Sequence, residues 1–448
     1  MGAAVSSATP TLPPTAVGWR SHGLLLLLAA VFADNFVGRQ ILAVMFEPIK
    51  AEFGVGDSAL GLISGLAFAA VYALLGLPAG RLVDRLPRVR LLAAACLLWA
   101  LATMICGLAG SFLVLALARM LVAVSEAPTT SASLSLIADL YPPQRRSFAI
   151  SCFTAAPTFS SIIGLSIGAW VVEQYGWRTA FIALGLPALA FAATLGLLVR
   201  EPARGRWDLS AHPAPAVHLG LGAEASALWA LAPYRWLILA GGLTTLGSYA
   251  VAMWNTSFLV RSHGLSLRDA GILAGVVCGS AAGVGGLFSG WLSDRLVRRA
   301  AHWQLSLPIL GHLAALSALA SYLLWPSDLL LHLGALPVPA AMLWCALYSF
   351  FAVWWVAPSY NLVTQLVAAQ RRGTAMALQT IVSTLLGVGV GPLLTGLLSD
   401  LLQPLFGVQS LRYALLLVSL PVLGAVLLLL RTSLHLTGQS RQAALPVE

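Results

Sequence analysis

The feature that most constrains this chain is the regular return, along nearly its whole length, of apolar runs about 20 residues long. A helix rises about 1.5 Å per residue, so such a run crosses a hydrocarbon core roughly 30 Å thick. Of 448 residues, 59% are hydrophobic and only 9% charged, against about 25% charged in a soluble domain. A soluble fold cannot hide that much apolar surface. The runs are continuous and do not alternate, which selects bundled helices over barrel strands. Twelve spans are expected, near 22–46, 58–81, 90–109, 112–140, 145–173, 178–199, 233–261, 268–296, 302–325, 339–367, 372–401 and 411–431.

The segments around these spans are short. Residues 1–20 are rich in Ala, Ser, Thr and Pro and read as a disordered tail. The first run follows Trp19 and Arg20 and continues to about Phe46 without a small-residue cleavage site, so it reads as an uncleaved span. Residues 200–232 carry Pro202, Pro213 and Pro215 and read as a linker with one short amphipathic helix. They divide the chain into bundles at 21–199 and 233–432, followed by a tail at 433–448.

The net charge of +9 comes from arginines in short loops and carries topology, not nucleic-acid binding. Loops on one side hold Arg81, Arg85, Arg88, Arg90, Arg145, Arg146, Arg371, Arg372 and others, while the other side has only Lys50, Arg178, Arg261, Arg268 and Arg412. Positive residues stay inside, so both termini and the linker are expected in the cytoplasm. Cys96, Cys106, Cys152, Cys278 and Cys345 all fall in spans without metal-type spacing and read as small apolar fillers. No metal, cofactor or oligomer interface is indicated, and a monomer is the default. Neither is an enzyme, because the spans assemble no nucleophile–base or metal constellation.

Within the span 112–140, Arg119 and Glu126 stand seven residues apart, close to two helical turns, and so face one way. An ionised group at the bilayer centre costs about 2.5–3.5 kcal/mol on insertion scales, so two of them need a use. That face continues through Thr129 and Thr130 past Pro128 and reads as the wall of a polar cavity, with Arg119 holding a titratable Glu126. The rival reading is a structural ion pair. Burial raises a carboxylate's pKa and a nearby guanidinium lowers it. An anionic headgroup that engages Arg119 would therefore let Glu126 take a proton. Arg39 is a second headgroup contact or a snorkelling side chain.

The second half differs. Its membrane core shows no charge in the seventh, eighth, tenth and eleventh spans but offers Trp254, Asn255, Tyr348, Trp355, Tyr360, Asn361 and Gln379. Large aromatic surfaces with polar tips suit an acyl-bearing ligand, although any single one of these residues serves as well in helix packing or at a membrane interface. Glycines at Gly164 and Gly168, at Gly275, Gly279, Gly283 and Gly290, and at Gly387 and Gly391 let helices approach closely and slide. No phosphate-cradling Gly-Lys-Ser/Thr loop occurs, so ATP is not the driver.

The halves repeat each other. Gly80-Arg-Leu-Val-Asp84-Arg85-Leu is answered by Gly290-Trp-Leu-Ser-Asp294-Arg295-Leu, and Gln144-Arg145-Arg146 by Gln370-Arg371-Arg372. Parallel six-span repeats are a transporter plan. The matched Asp and Arg loops read as latches, in which Asp84 and Asp294 cap helices while Arg85, Arg88, Arg145, Arg146, Arg295, Arg371 and Arg372 bond acids such as Asp139.

These paired loops resemble the signature loops of the major facilitator superfamily over residues 20–432. Gly38-Arg-Gln-Ile-Leu, Glu47-Pro-Ile-Lys50, Phe68-Ala-Ala-Val-Tyr72-Ala-Leu-Leu-Gly76, Ser125-Glu126-Ala127, Tyr141-Pro-Pro-Gln-Arg145-Arg146 and Arg261-Ser-His-Gly264-Leu-Ser resemble its Spinster-like branch. The resemblance implies an all-α membrane fold of two six-helix bundles rocking about a central cavity lined by Asn35, Arg39 and Tyr72 among others. It also implies a proton-coupled carrier of lysolipid- or sphingolipid-like amphiphiles in a membrane of the bacterial inner type, with lipids and protons as its partners. A multidrug antiporter and a symporter of a small organic anion are the alternatives. One position departs from the branch: Spinster-like sequences usually have Asp where this chain has Gly38. Either Asp34, one turn earlier, takes that role, or Glu126 works alone.

Overall fold

The computed structural model describes residues 18–205, 221–326, 330–367 and 371–443. Nearly all of the predicted N-terminal tail, the middle of the linker and Gln370 lie outside the described residues. Among those described, ten helical stretches are long and apolar enough to cross a membrane. Two of these, Phe148–Leu198 with 51 residues and Thr374–Leu436 with 63, are more than twice the roughly 20 that one crossing needs. Each is broken by a glycine with positive φ, Gly176 (φ 81°, ψ 161°) and Gly407 (φ 54°, ψ −127°). A side chain is strained there, so the break falls where Gly allows it. Counting each stretch as two crossings turns ten into the expected twelve. The last helix, Pro421–Ala443, continues through much of the stretch assigned to the C-terminal tail, and residues 444–448 lie outside the described residues. In the linker the structure places the short helix Leu221–Ala230.

The first and seventh helices, Trp19–Phe53 and Ala232–His263, end alike. Gly54 (φ 62°) and Gly264 (φ 64°) take the left-handed conformation, and their N–H groups donate to Lys50 O and Val260 O at 3.0 and 3.1 Å. Such a cap satisfies a carbonyl the helix would otherwise leave unpaired. The offset from Gly54 to Gly264 is the same as from Gly80 to Gly290. It also relates Gly61 to Gly271, Gly65 to Gly275 and Gly76 to Gly286. The repeat therefore extends from the signature loops back to the preceding helix ends. The second helix comprises Asp57–Gly61, a π-helical turn Leu62–Leu66 and Ala67–Arg85; the eighth comprises Leu267–Ile272, a π-helical turn Leu273–Cys278 and Gly279–Val297. Irregular turns of this kind recur at functional positions.

These repeated glycines show how the two halves meet. A Cβ on Gly61 would lie 2.8 Å from Leu393 Cα, and one on Gly65 would lie 3.1 Å from Val388 O, both in the second half. On the other seam, a Cβ on Gly271 would lie 2.6 Å from Leu165 O, and one on Gly275 would lie 2.7 Å from Ser166 Oγ, both in the first half. Near the termini the same helices part, because Gly76, Gly80, Gly286 and Gly290 have nothing within 4 Å of such a Cβ. Both seams are thus zipped on the face away from the termini and open on the terminal face. The zipped end has an apolar core drawn from both halves, with Phe46 against Trp254 at 4.7 Å between ring centroids. An antiparallel hairpin, Leu330–Leu333 with Leu336–Pro339, turns at Gly334 on that far face.

Candidate functional site

The far face is sealed by a charge network that the sequence reading missed. Arg261 reaches from the second half to Glu47 Oε1 at 2.9 Å and to Asp57 Oδ2 and Oδ1 at 2.6 and 2.9 Å in the first half. Asp57 also accepts from Lys50 Nζ at 2.6 Å and from Ser399 Oγ at 2.7 Å. In return Asp400 of the second half accepts from the backbone N–H groups of Asp57 and Ser58 at 2.9 and 2.8 Å, capping a helix of the other bundle. The Asp57 side chain is only 2% exposed, which makes this a buried, multiply bonded network and not a surface ion pair. Glu47, Lys50 and Arg261 stood in the motifs quoted above, but only their proximity in space reveals a joint role.

Toward the middle of the first half, Glu126 is held by Arg39 and not by Arg119. Arg39 Nε donates to Glu126 Oε2 at 2.8 Å, and its Nη2 bonds the same oxygen. The pairing follows from geometry: two turns along one helix align Arg119 with Glu126 but leave them apart, whereas Arg39 enters from the neighbouring helix. The Arg39 side chain is 20% exposed against 2% for Glu126, so Arg39 is the more accessible member of the pair. It lies over Phe36, Phe68 and Tyr72 at 5.0, 4.8 and 5.5 Å from their ring centroids. Arg119 is buried close by, 5.9 Å from the Phe68 centroid, with Nε lacking a partner. Of these two guanidiniums only Arg39 bonds the carboxylate, while both lie over the Phe68 ring.

The other Glu126 oxygen, Oε1, accepts from Trp99 Nε1 at 3.2 Å. The Trp99 ring lies 2.8 Å from where a Cβ on Gly38 would be. The glycine at 38 thus admits an indole that hydrogen-bonds Glu126, and a side chain there would collide with it. Asp34 is half-buried and its Oδ2 has no hydrogen-bond partner, while Asn35 is buried.

Two cavities lie near this cluster, one reaching Tyr72, over which Arg39 lies, and the other reaching Gln40; Arg39 and Glu126 themselves line neither. One of about 430 Å³ is lined by Tyr72, Gly76, Ala127 and Thr130 of the first half and by Ala377, Thr380 and Thr384 of the second. The other, of about 360 Å³, takes Gln40 and Ser161 from the first half and Tyr249, Asn255, Tyr348 and Trp355 from the second. Gln40 Nε2 donates to Ser161 Oγ at 3.1 Å, a polar pair the sequence reading did not single out. Thr129 is buried and donates to Ser125 O at 3.4 Å.

Four expected cavity residues line neither of these two cavities. Trp254 is fully buried and donates from Nε1 to Pro392 O at 3.0 Å, so it packs the zipped end of the seam. Tyr360 is 41% exposed and the neighbouring Asn361 accepts from Gln365 at 3.3 Å along its own helix. Gln379 is 1% exposed with neither amide atom partnered. A polar residue in an apolar helix does not reveal which side of the helix meets a cavity.

On the terminal face Arg88 is buried and bonds Asp139, and it donates from Nε to Glu201 Oε1 at 2.9 Å. Glu201 also accepts from Val89 N at 2.7 Å, and Asp139 from Gly205 N at 3.0 Å. Arg204 reaches the carbonyls of Val83 and Leu86, both at 2.7 Å, and that of Asp84. These bonds tie the start of the linker to the first half and do not span the seam. Arg146 Nη2 donates to Ala138 O at 2.7 Å. Asp84, Arg85, Arg145 and Asp294 are exposed, as is Arg372, and Arg371 is half-buried. Arg295, also exposed, lies over Trp291 at 5.7 Å.

Comparison with known proteins follows the same lines. The sequence profile of the Major Facilitator Superfamily matches residues 26–389. The chain is 32% identical over 413 residues to an MFS-type efflux pump of Mycolicibacterium smegmatis, covering 91% of each protein. It is 29% identical over 416 residues to protein spinster homolog 1 of Homo sapiens, covering 86% of this chain and 74% of that one. Its fold is similar to the crystal structure of a bacterial homologue of the human lysosomal transporter Spinster, inward-facing and unoccupied. That match has a TM-score of 0.82 and 24% identity and covers 93% of this chain and 98% of the other.

Proposed function

This chain belongs to the major facilitator superfamily, and from that premise we propose that it is a proton-coupled secondary transporter of amphiphiles with an anionic head and an apolar tail. The observation that carries the reading is the Arg39–Glu126 pair beside residues of two cavities, Tyr72 under Arg39 and Gln40 next to it in the chain, with an uncharged aromatic wall on the second-half side of one of them. An anionic head that engages Arg39 would draw the guanidinium off Glu126, and the freed carboxylate would take a proton. A proton on Glu126 would equally release Arg39 for the head. Coupling follows if proton and cargo each favour a different orientation of the two halves. Asp34 is the second candidate proton carrier, and Arg119 the reserve cation that holds Glu126 when Arg39 is engaged. Tyr249, Tyr348 and Trp355 would take the tail.

With the arginine-rich terminal face in the cytoplasm, the described state opens inward, and the network at Asp57 and Arg261 is the outer gate. Proteoliposomes under an imposed pH gradient, offered lysophospholipids, sphingoid phosphates, unrelated hydrophobic drugs and small organic acids, test the reading. Gradient-driven movement of a lipid-like anion is expected in wild type. In Glu126→Gln it should fall at least tenfold, with equilibrium exchange of the same cargo retained. Competition among many unrelated drugs would replace the reading with a drug exporter, and preference for small acids would replace it with an organic-anion carrier.

A further inference from the structure

The cysteines offer a site that proton coupling does not use. Cys278 ends the π-helical turn of the eighth helix and Cys345 lies in the helix Met342–Ala352, yet their sulfurs are 3.2 Å apart and both are free thiols. Asn255 Nδ2 faces both, 3.6 Å from Cys278 Sγ and 3.9 Å from Cys345 Sγ. Its Oδ1 accepts from Tyr322 Oη at 2.6 Å, which orients the amide with its N–H groups toward the sulfurs. Tyr322 is fully buried, while Asn255, Cys278 and Cys345 all line the cavity of about 360 Å³. Two apolar fillers would need neither an amide fixed on them by a third residue nor a cavity beside them.

We propose that Cys278 and Cys345 form a dithiol site that captures trivalent arsenicals entering the cavity. An arsenical with one As=O group condenses with the two thiols. Two As–S bonds form, the two S–H bonds and the As=O bond break, and the oxygen leaves as water with both thiol protons. Arsenic remains trivalent, so no oxidant or reductant is required. Soft sulfur ligands select soft, thiophilic centres. With both sulfurs already side by side, the second bond closes intramolecularly at high effective concentration. The Asn255 amide donates to whichever sulfur carries charge as its proton departs. Cys96, Cys106 and Cys152 lie in the first half and serve as internal controls.

The test uses full-length reduced protein in nanodiscs and phenylarsine oxide as probe. One arsenical per chain is expected by intact mass, with two of the five thiols lost to maleimide counting. A dithiol should reverse the adduct while an equal concentration of monothiol leaves it. Cys278→Ser and Cys345→Ser should each lower retention at least tenfold. Since a serine can disturb packing, a chain with Cys96, Cys106 and Cys152 all changed to Ala must still bind one arsenical as wild type does. No adduct in wild type, an adduct that persists in Cys278→Ser, or one mapped to Cys152 would overturn the proposal. So would a Cys278–Cys345 disulfide in freshly reduced protein.

Discussion

The two ends of the seam between the halves are built from the same repeated helices and behave in opposite ways. At the far end Gly61, Gly65, Gly271 and Gly275 press against backbone or short side chains of the other half, and Asp57, Arg261 and Asp400 cross the gap with charge. At the terminal end the matched Gly76, Gly80, Gly286 and Gly290 face open space, and the described ion pairs, Arg88 with Asp139 and with Glu201, stay within one half and its linker. A glycine with nothing to touch gains nothing from lacking a side chain. Its repetition at two matched pairs of positions is explained if those positions close in another state as the far end opens. The far end holds with buried charge, and the terminal end is left free to close.

The largest effect should come from breaking the sealed end. Asp57→Asn removes the charge that Arg261 and Lys50 share. Truncating one partner of a buried ionic network costs about 3–5 kcal/mol, so the resting population should move toward the far-face-open state. Maleimide labelling of a cysteine placed at the buried Ser410, beside the network, should rise at least tenfold, and unchanged labelling would break the comparison. Next come the glycines, which separate the ends by different readouts. Gly271→Val should overpack the zipped seam, at a cost of about 1–3 kcal/mol, and lower thermal stability. Gly286→Leu should leave thermal stability alone while cutting transport severalfold, because the side chain obstructs only the state in which that end closes. Equal loss of stability in both variants would argue against the scheme.

Smaller effects sharpen the centre. Gly38→Ala sets a methyl against Trp99 and should cost about 1–3 kcal/mol, most of it recovered in Trp99→Leu. A thermal double-mutant cycle measures that coupling, and additive effects would remove Trp99 from its assigned place. The smallest change is expected from Asp84→Ala. Asp84 is exposed and its described bond is made through the backbone carbonyl, so stability should shift by about 0.5 kcal/mol or less. A larger loss would mean that the terminal latch is engaged in this state.

Much of the fold was legible because bilayer crossing leaves a periodic apolar record and the Gly80 and Gly290 loops repeat in recognisable form. The repeat could have been read further, since Gly54, Gly61, Gly65 and Gly76 hold the same offset to their partners. The site was legible in part. Glu126 stood out because charge is costly in an apolar helix, yet its partner proved to be Arg39, since helical spacing aligns residues along one helix and says nothing of what a neighbouring helix inserts. The Gly38 departure was visible, but its reason, the Trp99 ring, lies 61 positions away in the chain. The far-face network and the Cys278–Cys345 pair depend on contacts between distant segments, where spacing rules have no purchase.

The most direct test of the central claim is a pair of pulsed EPR distances in reconstituted protein, with the native cysteines replaced. One label pair, at Ala51 and Gln403, spans the sealed end, and the other, at Leu86 and Arg298, spans the terminal end. In going from wild type to Asp57→Asn, the first distance should lengthen as the second shortens. If either distance changes while the other stays fixed, or if both stay put, the two ends do not exchange and the account is contradicted.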